Sequence, residues 1–137
     1  MGTVAVKWVD SQLMTGLDSR GASLVLGDWR ERNPEWVGLK PSDLLLLAAA
    51  SCSAYDVIMI LRKQRQPMQG MEVFCTGEQL SEPPHTFTKI HLHYSVLGPV
   101  DSGKVERAIK LSEEKYCSVL ITLRPGVQLS SDYEVIA

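Results

Sequence analysis

Residues 4–9 place apolar side chains at alternate positions, Val-Ala-Val-Lys-Trp-Val, which predicts an opening strand. "TGLDSRG" then brings Gly, Asp and Ser together as turn formers, and "ASLVLGDW" predicts a second strand. Residues 1–35 therefore read as a hairpin or small β-meander. "RERNPEWVGLKPSD" is a polar connection containing proline, and it ends in Pro41, Ser42 and Asp43, residues that suit a helix start. A long helix is expected over 42–64. Arg62, Lys63 and Arg65 suit the negative end of its dipole, and Pro67 and Gly70 stop it. "MEVFCTGEQL" predicts a strand, and the strict alternation from Thr88 to Val96 predicts another across the short connection "SEPPHT". "VDSGKVERAIKLSEEKYCSVLITL" starts a second helix near Ser102, with an apolar stripe of Val105, Ala108, Ile109 and Leu111. "GVQLSSDYEVIA" closes the pattern as a last strand. The layout is α+β: a meander, a long helix, then a β-β-α-β segment over 71–137, all within one domain spanning 1–137.

The long helix departs from ordinary amphipathic patterning. "LLLLAAASCSAYDVIMIL", Leu44 to Leu61, is apolar or tiny on every side, and such a helix is expected to be buried on every side. It approaches the length of a membrane span. Asp56 inside it costs about 2.5–3.5 kcal/mol at a bilayer centre, and Ser51 and Ser53 also interrupt it. The expectation is a soluble protein with no membrane partner. One meander and one amphipathic helix can cover two sides of such a helix, hardly all of them. An intertwined homodimer, in which two chains cover each other's helices, solves the packing problem.

Bulk properties narrow the function classes. The chain has 137 residues, 45% of them apolar and 22% charged, enough for one core. Fourteen basic against sixteen acidic residues give a net charge of -2. That disfavours a nucleic-acid or anionic-membrane partner, since both want a basic face. Three cysteines are too few and odd in number for a secreted disulfide framework, which points to a reducing, cytoplasmic setting. The first residues carry neither the basic leader and apolar run of a signal peptide nor a myristoylation signal, because Val6 stands where Ser or Thr is needed.

The cysteines differ in their company. Cys52 sits between Ser51 and Ser53, with Tyr55 and Asp56 at i+3 and i+4 on its side of the helix. Polar groups on one side of an apolar helix suggest a pocket or a subunit interface. Asp56 alone works against reactivity, because a nearby carboxylate raises a thiol's pKa and the thiolate is the species that reacts. A reactive Cys52 therefore needs a cation from elsewhere. Cys117 follows Lys115 and Tyr116 at or just past the end of the second helix, and is expected to be more exposed and more easily ionised than a core thiol. Cys75, within "EVFCTG", reads as packing. The separation of Cys52 and Cys117 says nothing about whether they meet. If they do, redox chemistry follows.

Other chemistries find less support. His91 and His93 project from one face of a strand and His85 is near in sequence, but HxH is common on exposed strand faces, and the cysteines lack the CxxC spacing of structural zinc. No metal or cofactor is expected. A cysteine hydrolase would need a general base and an oxyanion hole, which nothing marks. No phosphate-cradling glycine loop is present.

Together, "KPSDLLLLAAASCSAYDVIMILRKQRQ" and "VERAIKLSEEKYCSVLITL" resemble the two signature segments of the OsmC/Ohr family, the osmotically inducible and organic hydroperoxide resistance proteins. The likeness is to the OsmC-like branch, whose helix runs LL-x-A-x-x-x-C-x-x-x-D. The resemblance implies an intertwined homodimer and thiol-dependent reduction of mainly organic hydroperoxides without metal or prosthetic group. It implies that Cys52 is the peroxidatic thiolate and Cys117 the resolving thiol that closes a disulfide with it. A lipoylated or thioredoxin-like dithiol protein would then restore both thiols. The family carries an Arg in the N-terminal turn and a Glu ahead of the cysteine helix. Here Arg20 stands one place off in "GLDSRG", and Ser42, beside Asp43, falls where the Glu is expected. Cys52 would then be ionised by Arg20 in a different pose, by Lys115, or barely at all. The competing expectation is a non-enzymatic dimer of the same fold that senses redox state or binds a small apolar ligand.

Overall fold

The computed structural model describes residues 1–27 and 38–137. The strand expected to reach 29 and the connection from 30 lie partly outside the described residues. The chain divides into two compact units, Met1–Leu45 and Leu46–Ala137.

The first unit is a three-stranded antiparallel meander of β1 (Ala5–Asp10), β2 (Leu13–Leu17) and β3 (Ser23–Leu26). Trp8 pairs with Met14 and Met14 with Leu26, so the three strands stay in register across the sheet. The turn between β2 and β3 is fixed by Asp18. Its Oδ1 accepts from the backbone N–H groups of Arg20 and Ala22, both at 2.8 Å. Gly21 follows at φ 93°, a conformation that a side chain would strain. No residue of β1 is buried, and Val6 and Trp8 stand exposed.

α1 (Pro41–Lys63) begins in the first unit and runs into the second, with Asp43 in its first turn and Arg62 and Lys63 in its last. Among the described residues it is the one helix long and apolar enough to cross a bilayer. Its inner side, Ala49, Ser53, Val57 and Leu61, is fully buried. Burial on every side, however, is not what this chain achieves. Leu47, Ser51, Tyr55 and Met59, each four residues from the last, form an exposed stripe along the helix.

The second unit continues with β4 (Gly70–Gln79) and β5 (Phe87–Leu97), an antiparallel pair. The chain then crosses over through α2 (Ser102–Leu111) and α3 (Ser118–Leu123) to β6 (Gln128–Ile136), which lies parallel to β5. Strict alternation makes β5 the floor of the core: Ile90, Leu92, Tyr94 and Val96 point inward and are at most 1% exposed. Asp101 caps α2 by accepting from the Lys104 N–H at 3.1 Å, and Val105, Ala108 and Ile109 supply its buried face.

The expected second helix is not continuous. After Leu111 the chain takes one π-turn over Ser112–Tyr116, closed by the Cys117 N–H donating to the Ser112 carbonyl at 2.8 Å. Cys117 itself is extended (φ -78°, ψ 102°), and α3 restarts beyond it.

Candidate functional site

Cys52 lies half-buried on α1, packed against the core. Its sulfur is 4.0 Å from the Ser118 hydroxyl, 66 residues away and adjacent in sequence to Cys117. Cys117 lies near enough for the Cys52 thiol to raise its pKa. All three described cysteines are free. The fold thus brings the two cysteine-bearing segments together, though the spacing of the cysteines in the sequence says nothing about whether they meet.

Cys117 corrects the expectation of an exposed, easily ionised thiol. It is fully buried. Burial pushes its pKa up to about 11, and the Cys52 thiol adds to the rise. Backbone N–H groups of Leu120 and Val119 work in the opposite direction without winning, the first donating to the sulfur at 3.4 Å. The physical reason is the π-turn. One extra residue in the last turn of the helix rotates the chain, so Lys115 and Tyr116 stay outside while Cys117 swings in to cap α3.

Arg20 lies in the first unit, in the β2–β3 turn, with its backbone N–H held by Asp18. Lys115 lies on the exposed side of the π-turn. Cys75 projects from β4 toward the core, and burial raises its pKa. That fits the packing role.

Sequence reasoning missed the polar group beside the two thiols. Ser53, the residue after Cys52, is fully buried and its hydroxyl lies 2.5 Å from the Tyr94 hydroxyl and 2.9 Å from that of Ser112. Ser112 in turn donates to Asp56 Oδ2 at 2.9 Å. Burial pushes the Tyr94 phenol up to about 12, so it remains a hydrogen-bond donor at any ordinary pH. Asp56, read from sequence as a charge facing Cys52, has its carboxylate engaged by Ser112. Tyr55, placed on the Cys52 side by spacing, stands exposed on the outer stripe. The only usable sequence signal was the unusual run of small polar residues inside an apolar helix.

Further along α1, Asp56, Met59, Lys63 and Gln64 line a cleft of about 450 Å³ that Leu111 and Tyr116 close from the other side. The buried Gln64 Oε1 has no hydrogen-bond partner among the described residues.

The two histidines of "HLH" face away from the core. His91 Nε2 and His93 Nδ1 both contact Asp132 Oδ1, at 2.9 and 2.8 Å, and Ser130 and Glu134 complete the row. The hydrogen bond to Asp132 raises the His93 pKa, and reciprocally lowers that of Asp132. No cluster of three or more ligating side chains among the described residues is arranged to hold a metal ion.

The family model described as OsmC-like protein matches residues 33–132. The chain is 39% identical over 134 residues to protein YhfA of Escherichia coli, covering 96% of each chain. A crystal structure of a hypothetical protein from Aquifex aeolicus superposes with a TM-score of 0.83 at 29% identity, over 100% of this chain and 98% of that one. An organic hydroperoxide resistance protein OsmC from Legionella pneumophila shares the fold at 16% identity, with a TM-score of 0.72 over 100% and 97% of the two chains. With an α+β architecture, a cysteine helix and a second thiol beside it, and with a family match over most of its length, the chain belongs to the OsmC-like protein family.

Proposed function

We propose that the protein is a cysteine-based hydroperoxide reductase acting in a reducing cytoplasm as a homodimer. The observation that carries this reading is the nearness of Cys52 to the Cys117 segment: its sulfur is 4.0 Å from the Ser118 hydroxyl, and Cys52 bears on the pKa of Cys117. Fold relatives named organic hydroperoxide resistance proteins support the substrate class. The exposed stripe of α1 and the open apolar strands of the first unit supply surface for a second copy.

The chemistry needs two steps and no cofactor. The Cys52 thiolate attacks the distal peroxide oxygen, the O–O bond breaks, and the alkoxide leaves and takes a proton as an alcohol. Cys52 becomes a sulfenic acid. The Cys117 sulfur then attacks the Cys52 sulfur, the S–O bond breaks, and hydroxide leaves as water once protonated. A dithiol partner, lipoylated or thioredoxin-like, returns both thiols by two exchanges and is itself oxidised. In the proposal Arg20 is the cation that favours the Cys52 thiolate, and Lys115 is the substitute to test against it.

Stopped-flow oxidation with cumene hydroperoxide tests the assignment. Rapid disulfide formation is expected in the wild type, none in Cys52→Ser, and a single turnover followed by over-oxidation in Cys117→Ser. Arg20→Ala is expected to slow the first step at least tenfold, and Lys115→Ala to slow it less. A wild-type rate equal to that of free cysteine removes the enzyme assignment.

The second reading is a non-enzymatic redox sensor or small-ligand binder of the same fold. It is favoured by the proton held on Cys117, which retards resolution, and by the cleft beside Asp56 with its unpartnered Gln64 oxygen. Slow oxidation in the stopped-flow experiment selects it.

A further inference from the structure

The two thiol-bearing segments are tied by a buried chain of hydroxyls. Its direction follows from proton counting. A carboxylate only accepts, so Ser112 spends its single hydroxyl proton on Asp56. Ser112 must then accept from Ser53, and Ser53, having donated, must accept from Tyr94. The chain therefore runs one way, from the phenol on β5 through α1 and the π-turn back to α1, with Asp56 as its terminus. Each link polarises the next.

The position of this chain gives it a consequence. Ser53 is bonded directly to Cys52 along the backbone of α1. Ser112 holds the Cys117 N–H through its own carbonyl at 2.8 Å. The Ser112 side chain is thus anchored to the Cys52 helix while its main chain anchors Cys117. Arg124, beyond α3, also donates to the Glu113 carbonyl and fastens the same π-turn from its other end. A π-turn is an irregular segment that a regular helix would readily replace, and this one is held by specific side-chain bonds.

We propose that Ser53, Ser112 and Asp56 are positioning residues that set the approach of Cys117 to Cys52, so that closure of the disulfide depends on them more strongly than oxidation of Cys52 does. This rests on the thiol-peroxidase reading for its biological use. The positioning itself shows in any reaction that joins the two sulfurs.

The test uses two readouts on the full-length protein. The first is equilibrium closure in glutathione buffers, in which protein dithiol and glutathione disulfide give protein disulfide and two glutathiones. The second is the rate constant of Cys52 with cumene hydroperoxide. Ser112→Ala and Asp56→Ala are expected to lower the closure constant at least tenfold and the oxidation rate less than threefold. Asp56→Asn, which keeps a carbonyl acceptor for Ser112, is expected to restore most of the closure. Ser130→Ala, on the exposed outer face of β6, is the control and leaves closure at the wild-type value. Should Ser112→Ala fail to fold, Asp56→Ala at the half-buried end carries the same comparison.

Closure unchanged in both alanine variants overturns the proposal. So does a parallel fall of closure and oxidation, which marks a merely structural role. A wild type that closes in glutathione but ignores hydroperoxide overturns the peroxidase reading and leaves the positioning result standing. A wild type that closes no disulfide overturns both.

Discussion

Among the described residues the two sheets have three strands each, and they differ in what covers them. In the β4–β6 sheet, Ile90, Leu92, Tyr94 and Val96 are sealed, and the outer face is a row of His91, His93, Ser130, Asp132 and Glu134. That is the division expected of a sheet with one wet and one dry face. In the β1–β3 sheet no residue of β1 is buried, and Val6, Trp8 and Leu24 stand exposed on one face, as the strand register places them. Contiguous apolar strand surface of this kind marks an interaction site. The difference teaches that one unit carries its own core while the other keeps apolar surface in reserve for the proposed second copy.

Leu92→Ala should produce the largest effect, because it empties a sealed site in the second unit. It is expected to cost about 2–5 kcal/mol, measured by urea unfolding, whereas Val25→Ala costs less than half as much in a dilute sample. Equal losses would break the contrast between the sheets. Next comes Trp8→Glu combined with Tyr55→Glu. Sedimentation should show a dimer for the wild type and a monomer for the double variant at the same concentration. A monomeric wild type contradicts the idea of reserved surface.

A smaller effect sharpens the comparison from the buried side. Cys117 and Tyr94 keep their protons to about pH 11 and 12, above ordinary values of 9.0 and 10.0. Between these limits the unfolded chain releases protons that the folded one retains, so stability falls as pH rises. Urea midpoints followed by circular dichroism should be level up to about pH 8.5 and decline above pH 9, the onset of this linkage. Cys117→Ser should delay the onset. The smallest effect lies on the wet face. His93 should titrate above 6.5 by NMR, and Asp132→Asn should lower its pKa, since the hydrogen bond to Asp132 is the largest cause of the rise. The stability this pair contributes is lost as pH rises through the elevated His93 pKa.

Much of this architecture was legible in residue order. The alternation from Thr88 to Val96 identified β5 and its inward face, because period two needs no tertiary information. α1 was bounded within a residue by Pro41 and the basic residues at its end. The π-turn was not legible. Ser112–Tyr116 continues the polar face of α2 without a proline or glycine, and the extra residue is imposed by packing and by the bonds of Ser112. The burial of Cys117 was lost with it, because a thiol at or just past a helix end beside Lys115 reads as exposed, whereas the π-turn turns it inward. The hydroxyl chain was also beyond reach, since its members lie 41 and 59 residues from Ser53. Pairing at such distances is set by the fold. Arg20 came from family resemblance, and the homodimer from the packing problem of the apolar helix as well as from the resemblance; both are proposals.

The most direct measurement is the peptide mass map of the protein after one equivalent of cumene hydroperoxide under anaerobic, thiol-free conditions. The account predicts a single cross-linked species in which the peptides carrying Cys52 and Cys117 are joined with loss of two hydrogens, while Cys75 remains free. Recovery of both peptides unlinked, with Cys52 unmodified or oxidised no faster than Cys75, would contradict it.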